Sequence, residues 1–97
     1  MKEILIKPDA VVDLEDAAIW YESQESGLGV EFLLELDAAI DLAAEAPEHY
    51  EVLYQGIRRV LLQRFPFSVY FLFDMNAVEI IAVLHQHRTP LIWQSRI

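Results

Sequence analysis

The segment Ser68–Asp74, with the sequence SVYFLFD, carries apolar or aromatic side chains at both odd and even positions. Successive side chains of a β-strand point to opposite faces of a sheet, so a strand that is apolar on both faces needs cover on both. The segment therefore predicts a central strand with packed layers on either side of it.

Further strands are predicted around this central one. Ile57–Phe65 and Val78–His85 are rich in β-branched and aromatic residues, and the sequence DMNA at 74–77 resembles a hairpin turn between two of the strands. A strand is also predicted at Glu3–Lys7, which is rich in isoleucine and bounded by charge. The second half of the chain therefore indicates an antiparallel meander.

Two amphipathic helices are predicted between the first strand and the meander. Apolar residues recur at spacings of three and four over Asp9–Ser23 and over Val30–Ala46, and Pro47 ends the second pattern. The order β-α-α-β-β-β predicts an α+β fold in which a helical hairpin packs on a small antiparallel sheet. We expect a single domain over residues 1–97.

The charges are divided unevenly along the chain, whose net charge is −9. Residues 1–51 hold 14 of the 16 acidic residues but only 2 of the 7 basic ones. The basic second half and acidic first half indicate two surfaces with different partners, although solvated helix faces explain the acids equally well. The net charge argues against indiscriminate nucleic-acid binding, and we expect no sequence-specific DNA binding by this chain.

The composition also bears on the cellular compartment. The chain has no cysteine, which excludes disulfides and thiolate zinc sites. Its start, MKEILIKPDA, lacks the long apolar region of a signal peptide, and no apolar run approaches the roughly 20 residues that span a bilayer. These features predict a cytoplasmic protein with no membrane partner.

Arginines are the main candidates for a charged site. Arg58 and Arg59 are adjacent on a predicted strand, so they point to opposite faces. Antiparallel pairing could bring one of them onto one concave face with Arg64 and Arg88, where guanidinium groups would suit a phosphate or a carboxylate. Ordinary surface salt bridges are the alternative, since 16 acids are available.

The C-terminal segment LHQHRTPLIWQSRI, residues 84–97, combines histidine, arginine and tryptophan. His85 and His87 would share one face of a strand, but nothing in the spacing supplies a third metal ligand, so we expect no metal and no cofactor. Trp93 is either a plug over an edge of the core or an exposed anchor for a partner. The plug is favoured because a small domain needs its large apolar side chains.

Four stretches of the chain together resemble the toxins of the ParE/RelE superfamily. They are DLEDAAIWYESQESGLGVEFLLEL (13–36), EAPEHYE (45–51), GIRRVLLQRFPFSVYFLF (56–73) and IIAVLHQHRTPLIW (80–93). The most similar branch is the ParE-like one, often described as plasmid stabilisation proteins. The resemblance implies a βααβββ fold and the toxin half of a type II toxin–antitoxin module, neutralised by a cognate antitoxin of the ParD type.

Branches of this superfamily differ in target, since ParE-like members block DNA gyrase and RelE-like members cut mRNA in the ribosomal A site. RelE-like enzymes place lysines and arginines on the sheet and a tyrosine near the C-terminus. Residues 52–97 contain no lysine, and no tyrosine follows Arg88. Only Arg58, Arg64, His87 and Arg88 remain as a substitute catalytic set. We therefore expect gyrase inhibition by binding alone, with an mRNA interferase or a degenerate, non-toxic antitoxin-binding module as the alternatives.

Two binding surfaces are predicted. The hydrophobic surface between the helical hairpin and the sheet is expected to hold the antitoxin, because antitoxins of this kind fold on binding. Arg59, Arg88, Trp93 and Arg96 are expected to face the target or an acidic antitoxin tail. The C-terminal segment is expected on the sheet side, away from most of the acids.

Overall fold

The computed structural model describes residues 2–97, which contain a five-stranded sheet of order β1-β5-β4-β3-β2. The strands are β1 (Glu3–Ile6), β2 (Val52–Tyr54), β3 (Ile57–Leu61), β4 (Phe67–Phe73) and β5 (Ala77–His85). The predicted central strand, β4, is the middle one. β1 pairs with β5 in parallel and the other pairs are antiparallel, so the sheet is mixed rather than purely antiparallel.

The helices are α1 (Pro8–Gln24), α2 (Leu28–Glu45) and α3 (Pro90–Gln94). The first two form the predicted hairpin on one face of the sheet, and the predicted α+β fold class is confirmed. The structure adds β2 and α3, which are too short to produce a recognisable hydrophobic period. No helix within residues 2–97 is both long enough and apolar enough to cross a membrane.

The sheet separates two hydrophobic clusters. The cluster under the helical hairpin includes Phe32, Leu36 and Phe71, while the cluster on the opposite face includes Tyr70 and Trp93. Alternate residues of β4 enter the two clusters, which is why this strand is apolar at both parities.

The turn between α1 and α2 depends on Glu22 and Gly29. The Glu22 carboxylate accepts hydrogen bonds from the backbone N–H groups of Gly27 at 2.9 Å and Gly29 at 3.0 Å, which satisfies donors at the start of α2. A Cβ atom at position 29 would lie 2.6 Å from the carbonyl oxygen of Ala18. The two helices can therefore approach this closely only with glycine at position 29.

Gly29→Ala is expected to lower the free energy of unfolding by about 2 kcal/mol, although alanine normally favours a helix over glycine by about 1 kcal/mol. The reason is the clash with backbone, which cannot rotate away. Urea unfolding measures the change. Gly27→Ala is the control, because its added Cβ meets nothing within 4 Å and its cost comes only from the φ of +89°. A Gly29→Ala protein as stable as the original chain would contradict the prediction.

Candidate functional site

The C-terminal segment returns to the acidic first helix. The Arg96 guanidinium donates hydrogen bonds to the Asp13 carboxylate at 2.6 and 3.2 Å, and Asp9 lies 4.0 Å away. The hydrogen bonds that Arg96 donates to Asp13 raise the pKa of Arg96 above its ordinary value, against the opposing effect of burial. The expectation that this segment lies away from most of the acids is therefore wrong for Arg96.

The physical reason lies at the edge of β5. The pairing of β5 with β1 stops at Ile80, while β5 itself continues to His85. Beyond that point the Ile81 carbonyl accepts a hydrogen bond from Arg96 at 3.0 Å, and the Val83 N–H donates one to Asp13 at 3.0 Å. The two side chains thus satisfy backbone groups that have lost their neighbouring strand.

Trp93 lies on the sheet face opposite the helical hairpin. Its ring stacks on Tyr70 with 4.6 Å between centroids, and the residue is only 5% exposed. The side chain therefore covers the second hydrophobic cluster, and its ring is not presented to solvent.

The arginines of β3 and the following loop lie apart. Arg58 points to the helical side, where it donates hydrogen bonds to the backbone carbonyls of Tyr50 and Glu48. Its guanidinium lies 5.1 Å from the centroid of the Phe73 ring. Arg59 is exposed on the opposite face, and Arg64 pairs with Glu31 at 3.0 Å. The predicted concave face shared by these arginines is not formed, because Arg58 and Arg64 are held by different parts of the surface and Arg59 points to the other face of the sheet.

The two histidines meet just beyond the sheet. β5 ends at His85, and the backbone N–H of His87 in the following turn donates to His85 Nδ1 at 3.1 Å. Their ring centroids are 5.2 Å apart. Within residues 2–97 there is no group of three or more histidine, aspartate or glutamate residues that could hold a metal ion.

A groove lies between α1 and the adjoining ends of β4 and β5. Its apolar end is a cavity of about 410 Å³, lined by Ala17, Trp20, Tyr21, Pro66, Phe67 and His85. A second cavity of about 210 Å³ shares Ala17, Phe67 and His85 with the first and adds Asp13, Asp16 and Arg88. We call these two adjoining cavities the α1 groove, and they lie between the hairpin and the sheet, where the antitoxin surface was predicted.

Trp20 and Asp16 were not among the candidate site residues predicted from the sequence. Trp20 is 58% exposed, because it lies outside the buried stripe of α1 that contains Ala17 and Tyr21. The sequence feature that could have identified Trp20 is its position as a large aromatic residue outside the apolar stripe of an amphipathic helix.

A solved structure has the same fold as this chain. The chain is similar to "Chromosomal ParDE TA system from P. aeruginosa" with a TM-score of 0.74 and 17% sequence identity, over 88% of this chain and 96% of that one. At this identity the likeness concerns the fold alone. No curated protein sequence matches the chain.

The family follows from the sequence match. Residues 4–90 match the family model described as the ParE toxin of type II toxin–antitoxin systems, parDE. The chain therefore belongs to the ParE toxin family, as its motifs indicated.

Proposed function

We propose that the protein inhibits DNA gyrase by binding it, catalyses no reaction of its own, and is neutralised by a ParD-like antitoxin encoded with it. Membership of the ParE toxin family supports the toxin role. The solved structure of similar fold is a ParDE toxin–antitoxin system, which supports an antitoxin partner.

The separation of the arginines in the structure supports a non-catalytic mechanism. Cleavage of an RNA phosphodiester requires several cations aimed at the charge that develops on one phosphate. Here Arg58 is bound to backbone carbonyls, Arg64 to Glu31 and Arg96 to Asp13. Directing them to a common phosphate would require breaking these contacts.

The exposed arginines are the better candidates for the target interface. Arg59 and Arg88 make no side-chain hydrogen bond and no ion pair with any of residues 2–97, although acidic residues are abundant. Exposed cations of this kind contribute to association with an acidic surface. They lie at different places on the fold, so their contributions can be separated by mutation.

Purified protein is expected to reduce DNA supercoiling by gyrase in a concentration-dependent manner. Arg59→Ala and Arg88→Ala should each raise the half-inhibitory concentration by about threefold, the range of an exposed charge contact. Glu15→Ala is the control, since Glu15 is an exposed acidic residue on α1. Unchanged supercoiling at a large excess of folded protein, without cleavage complexes, would exclude gyrase as the target.

An mRNA interferase is the second candidate, because His85 and Arg88 line one cavity and His87 adjoins it. Translation-dependent cutting of mRNA that disappears in folded Arg88→Ala protein would support this activity.

If expression in a bacterial host arrests neither growth nor translation, a non-toxic antitoxin-binding module becomes the better interpretation.

A further inference from the structure

The outer face of α2 carries a row of apolar side chains that the rest of residues 2–97 leaves exposed. Val30, Leu34 and Leu42 are 59%, 65% and 56% exposed. Together with exposed Ala38 they stand at intervals of four residues, so they line up along one side of the helix. We call these four residues the α2 ridge. Aliphatic side chains in a row form a contiguous apolar surface, which marks a docking site more specifically than single exposed residues do.

Carboxylates border the α2 ridge on both sides, but they are unpaired on one side only. At 3.6 residues per turn, Asp37, Asp41 and Glu45 form a second row along one flank of the ridge. None of these three forms an ion pair with any of residues 2–97. On the other flank, Glu31 is paired with Arg64 at 3.0 Å. The uncompensated charge beside the ridge is therefore negative and follows one flank.

This charge selects among the possible occupants of the ridge. Residues 8–46, which contain α1 and α2, include no lysine, arginine or histidine, and neither does the five-residue α3. A helix of a second copy would therefore bring carboxylates or no charge to the flank, and never a cation. Phosphates of nucleic acids and anionic lipids are repelled by the same carboxylates. The complementary surface is a helix that combines an apolar ridge with a row of cations.

We propose that the α2 ridge docks a basic amphipathic helix of a partner protein, whose lysines or arginines pair with Asp37, Asp41 and Glu45. Ridges of residues four apart pack into the grooves of a facing helix, most commonly with the axes crossing at about 50°. No residue of α2 lines the α1 groove, so the two surfaces are separate. The α2 ridge therefore adds a surface beyond those of the proposed function and depends on neither gyrase nor the antitoxin.

Fluorescence anisotropy of labelled, capped peptides titrated with the full chain tests this interaction. Each peptide has about 18 residues, long enough to form a helix, with leucines four residues apart and a row of lysines on one flank or the other. Leu34→Ala should weaken binding of the better peptide about tenfold, because the lost side chain removes apolar contact area. Leu91→Ala makes the same change at a leucine of α3 that is 71% exposed, and it should leave binding unchanged.

A charge reversal tests the flank of the ridge. Asp37→Lys with Asp41→Lys should reverse the preference, so that a peptide with glutamates in place of its lysines binds at least about threefold more tightly than the lysine peptide. Glu3→Lys with Glu51→Lys makes the same change in net charge elsewhere on the surface and should keep the preference for lysine. All of these substitutions change exposed side chains, so the fold is expected to survive.

The proposal is overturned if neither lysine peptide binds, if the glutamate peptide binds the original chain as tightly, or if Leu34→Ala and Leu91→Ala act alike. Sedimentation that shows a dimer of the original chain, abolished by Leu34→Ala, would also overturn it, because the ridge would then hold a second copy. Gyrase and the antitoxin are absent from these measurements. Failure of gyrase inhibition in the supercoiling assay would therefore be recognised separately from failure of this interaction.

Discussion

Replacing Asp13 with alanine is expected to lower the free energy of unfolding by about 2–3 kcal/mol, less than the roughly 3–5 kcal/mol found for a fully buried ion pair, because this pair is only partly buried. The Asp13 side chain is 11% exposed and that of Arg96 17%. The substitution would leave the Arg96 guanidinium without its main partner and the Val83 N–H without an acceptor. Urea unfolding followed by tryptophan fluorescence measures the loss.

Two further variants test whether the loss of stability in the Asp13 variant comes from the broken ion pair. Glu15→Ala on the exposed side of the same helix should change stability by no more than about 0.5 kcal/mol. The double variant Asp13→Ala with Arg96→Ala should be less destabilised than the sum of the single changes, because it removes the stranded charge. A loss below about 1 kcal/mol for Asp13→Ala would show that the contact contributes little to holding the C-terminus.

Phe32→Ala is expected to lower the free energy of unfolding by about 3–5 kcal/mol through the cavity it creates. Phe32 is fully buried, and its ring lies 5.3 Å from Tyr21, 5.3 Å from Phe65 and 5.2 Å from Phe67, measured between centroids. These aromatic contacts join α2 to α1 and to the start of β4. Calorimetric or urea unfolding gives the magnitude.

The same substitution should also affect the α1 groove, since Tyr21 and Phe67 line it. Phe32→Leu retains most of the buried volume and should lose no more than about 1.5 kcal/mol. Equal losses for the leucine and alanine variants would argue against the cavity as the cause.

Much of the architecture could be predicted from local patterns. The helical period of α1 and α2 and the two-sided apolar character of β4 depend on neighbours in sequence, so they can be recognised without long-range contacts. The parallel pairing of β1 with β5 could not be recognised in this way. It joins residues 3–6 to residues 77–80, and no local pattern specifies the direction of such a pairing.

The candidate site was less predictable than the fold, and the charged side chains show why. An arginine on a strand has a predictable face, so Arg58 and Arg59 could be assigned to opposite sides. Which acid, carbonyl or ring receives a long flexible side chain depends on surfaces that meet only in the folded chain.

Local sequence patterns were sufficient to predict the α+β class, the helical hairpin, the central strand and, through the motifs, the ParE toxin family. Hydrophobic periodicity and motif order suffice for these because they are properties of contiguous segments. The pairing of Arg96 with Asp13 and the position of Trp20 beside a groove that ends at Arg88 are visible only in the folded chain. Arg96 and Asp13 meet because β5 extends past its pairing with β1, which leaves backbone groups that residues distant in sequence must satisfy.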